Sequence, residues 1–93
     1  MVDNEMVRLH MVIHGDVQGV GFRYRARYAA SGLGVTGWVK NEWDGTVIME
    51  AQGTMAQINQ MLRLVNSGSY ISIQGIDTKR VDVDPHDSGF HVR

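Results

Sequence analysis

The sequence predicts a two-layer α/β sandwich, and three observations carry that expectation. Several short segments read as strands, the first with clean apolar alternation. Two other segments switch to the helical period. Glycines or capping residues stand at most of the boundaries between them. The chain has 93 residues and is 43% hydrophobic, which is enough for a modest core and is expected to form one domain spanning 1–93.

From Val7 to His14 the residues alternate. Val7, Leu9, Met11 and Ile13 face one way, and Arg8, His10 and His14 the other, as a half-buried strand requires. A glycine-rich loop follows. From Phe22 the period changes, with Phe22, Ala26, Ala29 and Leu33 on one helical face and Arg23, Arg25 and Arg27 off it. Gly32 and Gly34 bound the C-terminal end of this helix. The segments VTGWVKN (35–41) and TVIMEAQ (46–52) read as strands joined through Asp44-Gly45, a hairpin signal, with Val47, Met49 and Ala51 facing inward. Thr54 then caps a second helix, Gln57 completes a capping box, and Ile58, Met61, Leu62 and Val65 form its apolar stripe. The segment NSGS stops it. YISIQGI (70–76) and KRVDV (79–83) read as one long strand broken in phase at Gly75, as by a bulge, and GFHVR supplies a short last strand. The order β-α-β-β-α-β plus a terminal strand is that of a ferredoxin-like fold, in which right-handed crossovers place both helices on one face.

Composition narrows the function. Nine Lys and Arg stand against ten Asp and Glu, and the pI is near 6.4. That balance argues against a general nucleic-acid or anionic-membrane binder. No apolar run approaches a membrane span, and the leading MVDNEMVR has no signal-peptide core. The absence of cysteine excludes disulfides, thiolate metal sites and a cysteine nucleophile. A cytoplasmic protein is expected.

The stretch HGDVQGVGFRYR (14–25) concentrates three glycines before Arg23, and glycine's entropic cost on folding demands a reason. Gly15, Gly19 and Gly21 match neither the dinucleotide fingerprint nor a Walker A loop. Still, a strand leading through a glycine turn into a helix N-terminus is the arrangement that binds phosphate elsewhere. N–H groups from Val17 to Phe22 can point inward, and the planar fork of Arg23 can grip two oxygens. Spacing alone leaves two readings open: an anion cradle, or an ordinary strand-to-helix connection. Asn41, at a strand end before the hairpin, reads first as a turn residue. Its amide can also hold a water, donating to one group and accepting from another. His10 and His14 lie roughly 13 Å apart on a strand and make no metal pair. His86 and His91 read as surface histidines, and DVDPHD (82–87) as a polar turn, since it lacks the glycine and distal glutamate of a calcium loop.

Two segments together resemble the acylphosphatase family: IHGDVQGVGFR (13–23) resembles its first signature and GWVKNEWDGTVIMEAQG (37–53) its second. The resemblance covers essentially the whole chain, and both signatures occur in order at a fitting separation. It implies hydrolysis of small-molecule acyl phosphates to a carboxylate and inorganic phosphate, with no metal, no other cofactor and no covalent enzyme intermediate. It implies that Arg23 is catalytic and holds the phosphoryl oxygens together with Gly15, Asp16, Val17, Gln18, Gly19, Val20, Gly21 and Phe22. It also implies that Asn41 is catalytic and positions the attacking water. Asp16 departs from the pattern, because many members carry a basic residue there. A screened carboxylate near the cradle is expected to weaken substrate binding without abolishing activity.

Two other readings compete. A ferredoxin-like RNA-binding or small-ligand module is one, and an RNA reader would show aromatic residues on its central strands and a basic surface; here those strands offer Met11 and Met49 inside and His10, Ile48 and Glu50 outside. An accessory domain for a carbamoyl-phosphate-using partner is the other, and a length suited to a free-standing domain weighs against it. A monomer that binds neither nucleic acid nor membrane is expected.

Overall fold

Alternation in the first apolar segment becomes an eleven-residue interior strand, β1 (Met6–Asp16), in the computed structural model, which describes residues 4–93. The first three residues of MVDNEMVR lie outside the described residues. After β1 come α1 (Phe22–Leu33), β2 (Thr36–Asn41), β3 (Val47–Thr54), α2 (Met55–Asn66), β4 (Ser72–Val81) and β5 (Phe90–Val92). The order is the one that the sequence predicts. The strands form a single five-stranded sheet, β4-β1-β3-β2-β5. β1 pairs antiparallel with β3 and β4, β2 antiparallel with β3, and β5 parallel with β2.

α1 and α2 pack on each other and on the sheet, so they share one face. Val7, Leu9, Met11, Ile13, Val39, Val47, Met49 and Ala51 meet Phe22, Ala26, Ala29, Ala30, Ile58, Met61 and Val65 there, all buried. Each large side chain so buried contributes about 1.5–3 kcal/mol. Thr54 Oγ1 accepts from Gln57 N, and Gln57 Oε1 accepts from Thr54 N, the reciprocal cap that fixes where α2 begins. No described helix is long and apolar enough to cross a membrane.

Boundaries differ from the sequence expectation where pairing is non-local. β1 continues through Gly15 and Asp16, because these residues pair with Ile73 and Ser72 of β4. The register shifts between His14 and Gly15 and leaves Gln74 without a partner in the ladder, one residue before the expected break at Gly75. β4 ends at Val81, short of Val83, and Gly34, with φ 75°, alone caps α1, since Gly32 lies within the helix.

The other face of the sheet holds the polar partners of the alternation. Arg8 is only 7% exposed. Its Nε donates to Glu50 Oε1 at 2.8 Å, and its Nη1 donates to Gln52 Oε1 at 3.2 Å and to Asp87 Oδ2 at 2.7 Å. His10 Nδ1 lies 2.7 Å from Glu50 Oε2. Residues 82–89 cross this face on the way to β5.

Candidate active site

The glycine-rich segment is pinned at both ends before any glycine bends. Val17 and Phe22 are buried in the core, and Val20 packs against it. Between these anchors the backbone turns at Gly19 (φ 71°) and Gly21 (φ 80°), a left-handed region that costs other residues about 1–2 kcal/mol. A Cβ at either position meets nothing within 4 Å, so the backbone angle and not crowding calls for glycine. Gly15 is different. A Cβ there would lie 2.1 Å from the Ser72 backbone oxygen, so this glycine admits the close approach of β4.

Gly21 is the N-cap of α1, with no side-chain cap and no acidic residue in the first turn. The leading amides of a helix have no acceptor within it, and here no capping side chain replaces one. They carry the positive end of the helix dipole. Half-buried Arg23 stands in that first turn, and its Nη1 donates to the backbone oxygen of Arg93 at 2.9 Å.

Asn41 closes β2 opposite Val47. In the hairpin beyond it, Glu42 N donates to Thr46 O at 2.9 Å. Thr46 also donates to Asp44 through both Oγ1 and N; these bonds hold the Asp44 carboxyl below its usual range. Lys40 Nζ lies 3.1 Å from Glu42 Oε1. Gln18 links loop and hairpin, its Nε2 donating to the backbone oxygens of Glu42 and Thr46. Among the described residues, Asn41 Oδ1 is the one buried side-chain nitrogen or oxygen without a hydrogen-bond partner.

Val17, Gly19, Gly21, Phe22, Arg23, Tyr24 and Asn41 line one cavity of about 100 Å³. The structure thus gathers Arg23, Asn41 and four other residues selected from the sequence. Gly15 and exposed Asp16 stay in β1, Gln18 turns to the hairpin, and Val20 turns to the core. Tyr24 joins the cavity unselected, its signal being the place next to Arg23 in the first helical turn. Arg93 takes part through its backbone oxygen, which no residue type announces. A larger cavity, about 410 Å³, opens between the helices beside Tyr28, Leu33 and Leu64. Its single charged group, Arg25, is already bound to Leu64 O and Ser67 Oγ, so it offers no comparable chemistry.

The chain as a whole is similar to known proteins. The acylphosphatase family model matches residues 9–92. The acylphosphatase of Geobacillus thermodenitrificans is 39% identical over 88 residues, 94% of each chain. That of Bordetella parapertussis is 47% identical over 68 residues, 73% of this chain and 72% of its own. A solved acylphosphatase from Coxiella burnetii is similar at a TM-score of 0.83 and 30% identity over 100% of both chains.

Proposed function

The chain belongs to the acylphosphatase family and is an enzyme of acyl phosphate hydrolysis, and on that premise we propose how its own residues carry the reaction. The phosphoryl group sits in the 100 Å³ cavity, its oxygens taken by the free amides of the Gly19–Phe22 turn and by the Arg23 fork. Asn41 Oδ1 accepts a hydrogen from the attacking water and holds that water in line. The water oxygen bonds to phosphorus as the bond from phosphorus to the acyl oxygen breaks. The carboxylate leaves with the bonding electrons, and the water's proton passes to a phosphoryl oxygen. Such a transfer asks mainly for positioning and charge stabilisation. A carboxylate leaves readily, so a strong general acid is unnecessary.

The observation that carries this reading is the unpartnered Asn41 Oδ1 beside Arg23 and the uncapped end of α1. An orphan acceptor suits a water, which donates, and not the acyl phosphate dianion, whose phosphoryl oxygens carry no proton. Asp16 is exposed, so its charge is screened and weakens phosphate binding only modestly. The test is phosphate release from benzoyl phosphate by the wild type, Arg23→Ala and Asn41→Ala. Wild-type release that both substitutions leave intact would remove the assignment.

A further inference from the structure

Arg23 is reached by a chain of contacts that begins on the opposite side of the sheet. Arg8 belongs to the face of β1 turned away from the helices, yet it is buried, and a buried guanidinium must be paired. Its pairing pins a loop. Asp87 accepts from Arg8 Nη1 at 2.7 Å. Gln52, beside Arg8 in the β1–β3 register, accepts from Asp84 N and donates to Asp84 O, each at 2.8 Å. Residues 84–87 are thereby fastened over the neighbouring strands β1 and β3. The chain then reaches the far edge, where Gly37 N donates to Gly89 O at 3.0 Å. β5 follows, pairing with Gly37–Val39 of β2. Arg93 N donates to Val39 O at 2.8 Å, and Arg93 O receives Arg23 Nη1.

A second thread ends on the same residue. The Arg93 guanidinium stacks 4.6 Å from the centre of the Trp38 ring. Trp38 meets His10 edge-on at 6.2 Å, and His10 bonds to the Glu50 that also holds Arg8. β5 is three residues long and pairs with one neighbour only, so its own ladder leaves it prone to fraying. We propose that Asp87 and Trp38 are positioning residues for Arg23: the strap of residues 82–89 and the Trp38 stack fix β5, and the Arg93 oxygen then holds one arm of the Arg23 fork. The remaining nitrogens meet the phosphoryl group already oriented, so less side-chain freedom is lost on binding. The benefit to phosphate rests on the function proposed above; the ordering of Arg23 does not.

Asp87→Ala removes the strap's pin and leaves Arg8 its bonds to Glu50 and Gln52. Trp38→Leu removes the stack and leaves the strap. For each, inhibition by inorganic phosphate, kcat on benzoyl phosphate, melting temperature and the ¹⁵N relaxation of Arg23 Nε are measured. Both variants are expected to weaken phosphate inhibition roughly ten-fold, the lower end of what losing an orienting partner costs at metal sites, and to increase Arg23 Nε motion. Asp87→Glu should restore both. Leu62→Ala, a destabilised control on α2, should lower the melting temperature and leave phosphate inhibition unchanged. If Asp87→Ala folds with wild-type phosphate inhibition and wild-type Arg23 relaxation, the strap is only structural, and the same result for Trp38→Leu would show that the stack is. Increased Arg23 motion with unchanged phosphate inhibition would uphold the ordering of Arg23 and overturn its benefit to phosphate binding.

Discussion

Gln18 Nε2 lies 2.6 Å from the backbone oxygen of Glu42, so the side chain that leaves the glycine loop fastens the hairpin that carries Asn41. A second bond from the same nitrogen reaches Thr46 O at 2.8 Å. The glycine-rich loop and the hairpin beyond Asn41 are thus set relative to each other by one amide. Gln18→Ala is expected to cost about 1–3 kcal/mol of stability for the two hydrogen bonds lost; Thr46 O keeps Glu42 N and Glu42 O keeps Gly45 N as partners. It should lower kcat roughly ten-fold or more, since small misplacements of reacting groups are expensive. Thermal melts and steady-state kinetics on the purified variant check both; unchanged kcat would show that the bridge does not set the site.

Two glycines should respond in opposite ways. Gly19→Val places a Cβ in open space but forces valine to φ 71°. The loop should therefore change shape while the sheet and core persist. Phosphate inhibition and turnover fall, and the circular dichroism spectrum stays. Gly15→Ala drives a Cβ against the Ser72 oxygen, so its main effect should be a lower melting temperature through the β1–β4 edge. Normal phosphate inhibition in Gly19→Val would show that this turn is not part of a cradle.

Much of this was legible in the chain because its causes are local. Alternation at Val7–Ile13, the Thr54–Gln57 box and the Asp44-Gly45 turn each act within a few residues and mark β1, α2 and the hairpin directly. The two segments holding Arg23 and Asn41 stood out through their resemblance to the two family signatures, while spacing alone left both readings of each open. What escaped depends on distant partners. Gly15 looks like loop because the strand that pairs with it lies some 58 residues later, at Ile73. Arg8 looks solvent-facing by alternation, and residues 82–87 look like a plain polar turn, because each becomes buried or ordered only through the other.

Charge on the phosphoryl group is met in the proposed mechanism by Arg23 and backbone amides. Turnover of benzoyl phosphate should consequently be the same with and without EDTA. Loss of activity on chelation, regained with magnesium, would contradict that scheme.

Acid should loosen the open face. Burial pushes the Glu50 carboxyl up, but hydrogen bonds and charge from His10 and Arg8 outweigh it and leave the group below its ordinary value. A value lower when folded than when unfolded contributes stability above the unfolded pKa, about 4.3 for glutamate. That contribution disappears as pH falls through the lowered folded value. The melting temperature of the wild type should therefore fall below about pH 4.3 more steeply than that of Glu50→Gln. Parallel acid limbs for the two proteins would mean the pairing does not stabilise the fold.

The central claim divides the site: Arg23 holds phosphate, and Asn41 holds water. Arg23 acts on the phosphoryl oxygens in ground and transition states alike, so Arg23→Ala should weaken phosphate inhibition and reduce turnover severely. Lysine should rescue it poorly, since a point charge does not reproduce two parallel N–H bonds. Inorganic phosphate needs no attacking water, so Asn41→Ala should lower kcat by roughly two to three orders of magnitude with its phosphate inhibition constant nearly unchanged. Measuring kcat and phosphate inhibition for the two folded variants side by side is the most direct test. The account predicts that only Arg23→Ala loses phosphate; equal loss of phosphate affinity in Asn41→Ala would contradict it.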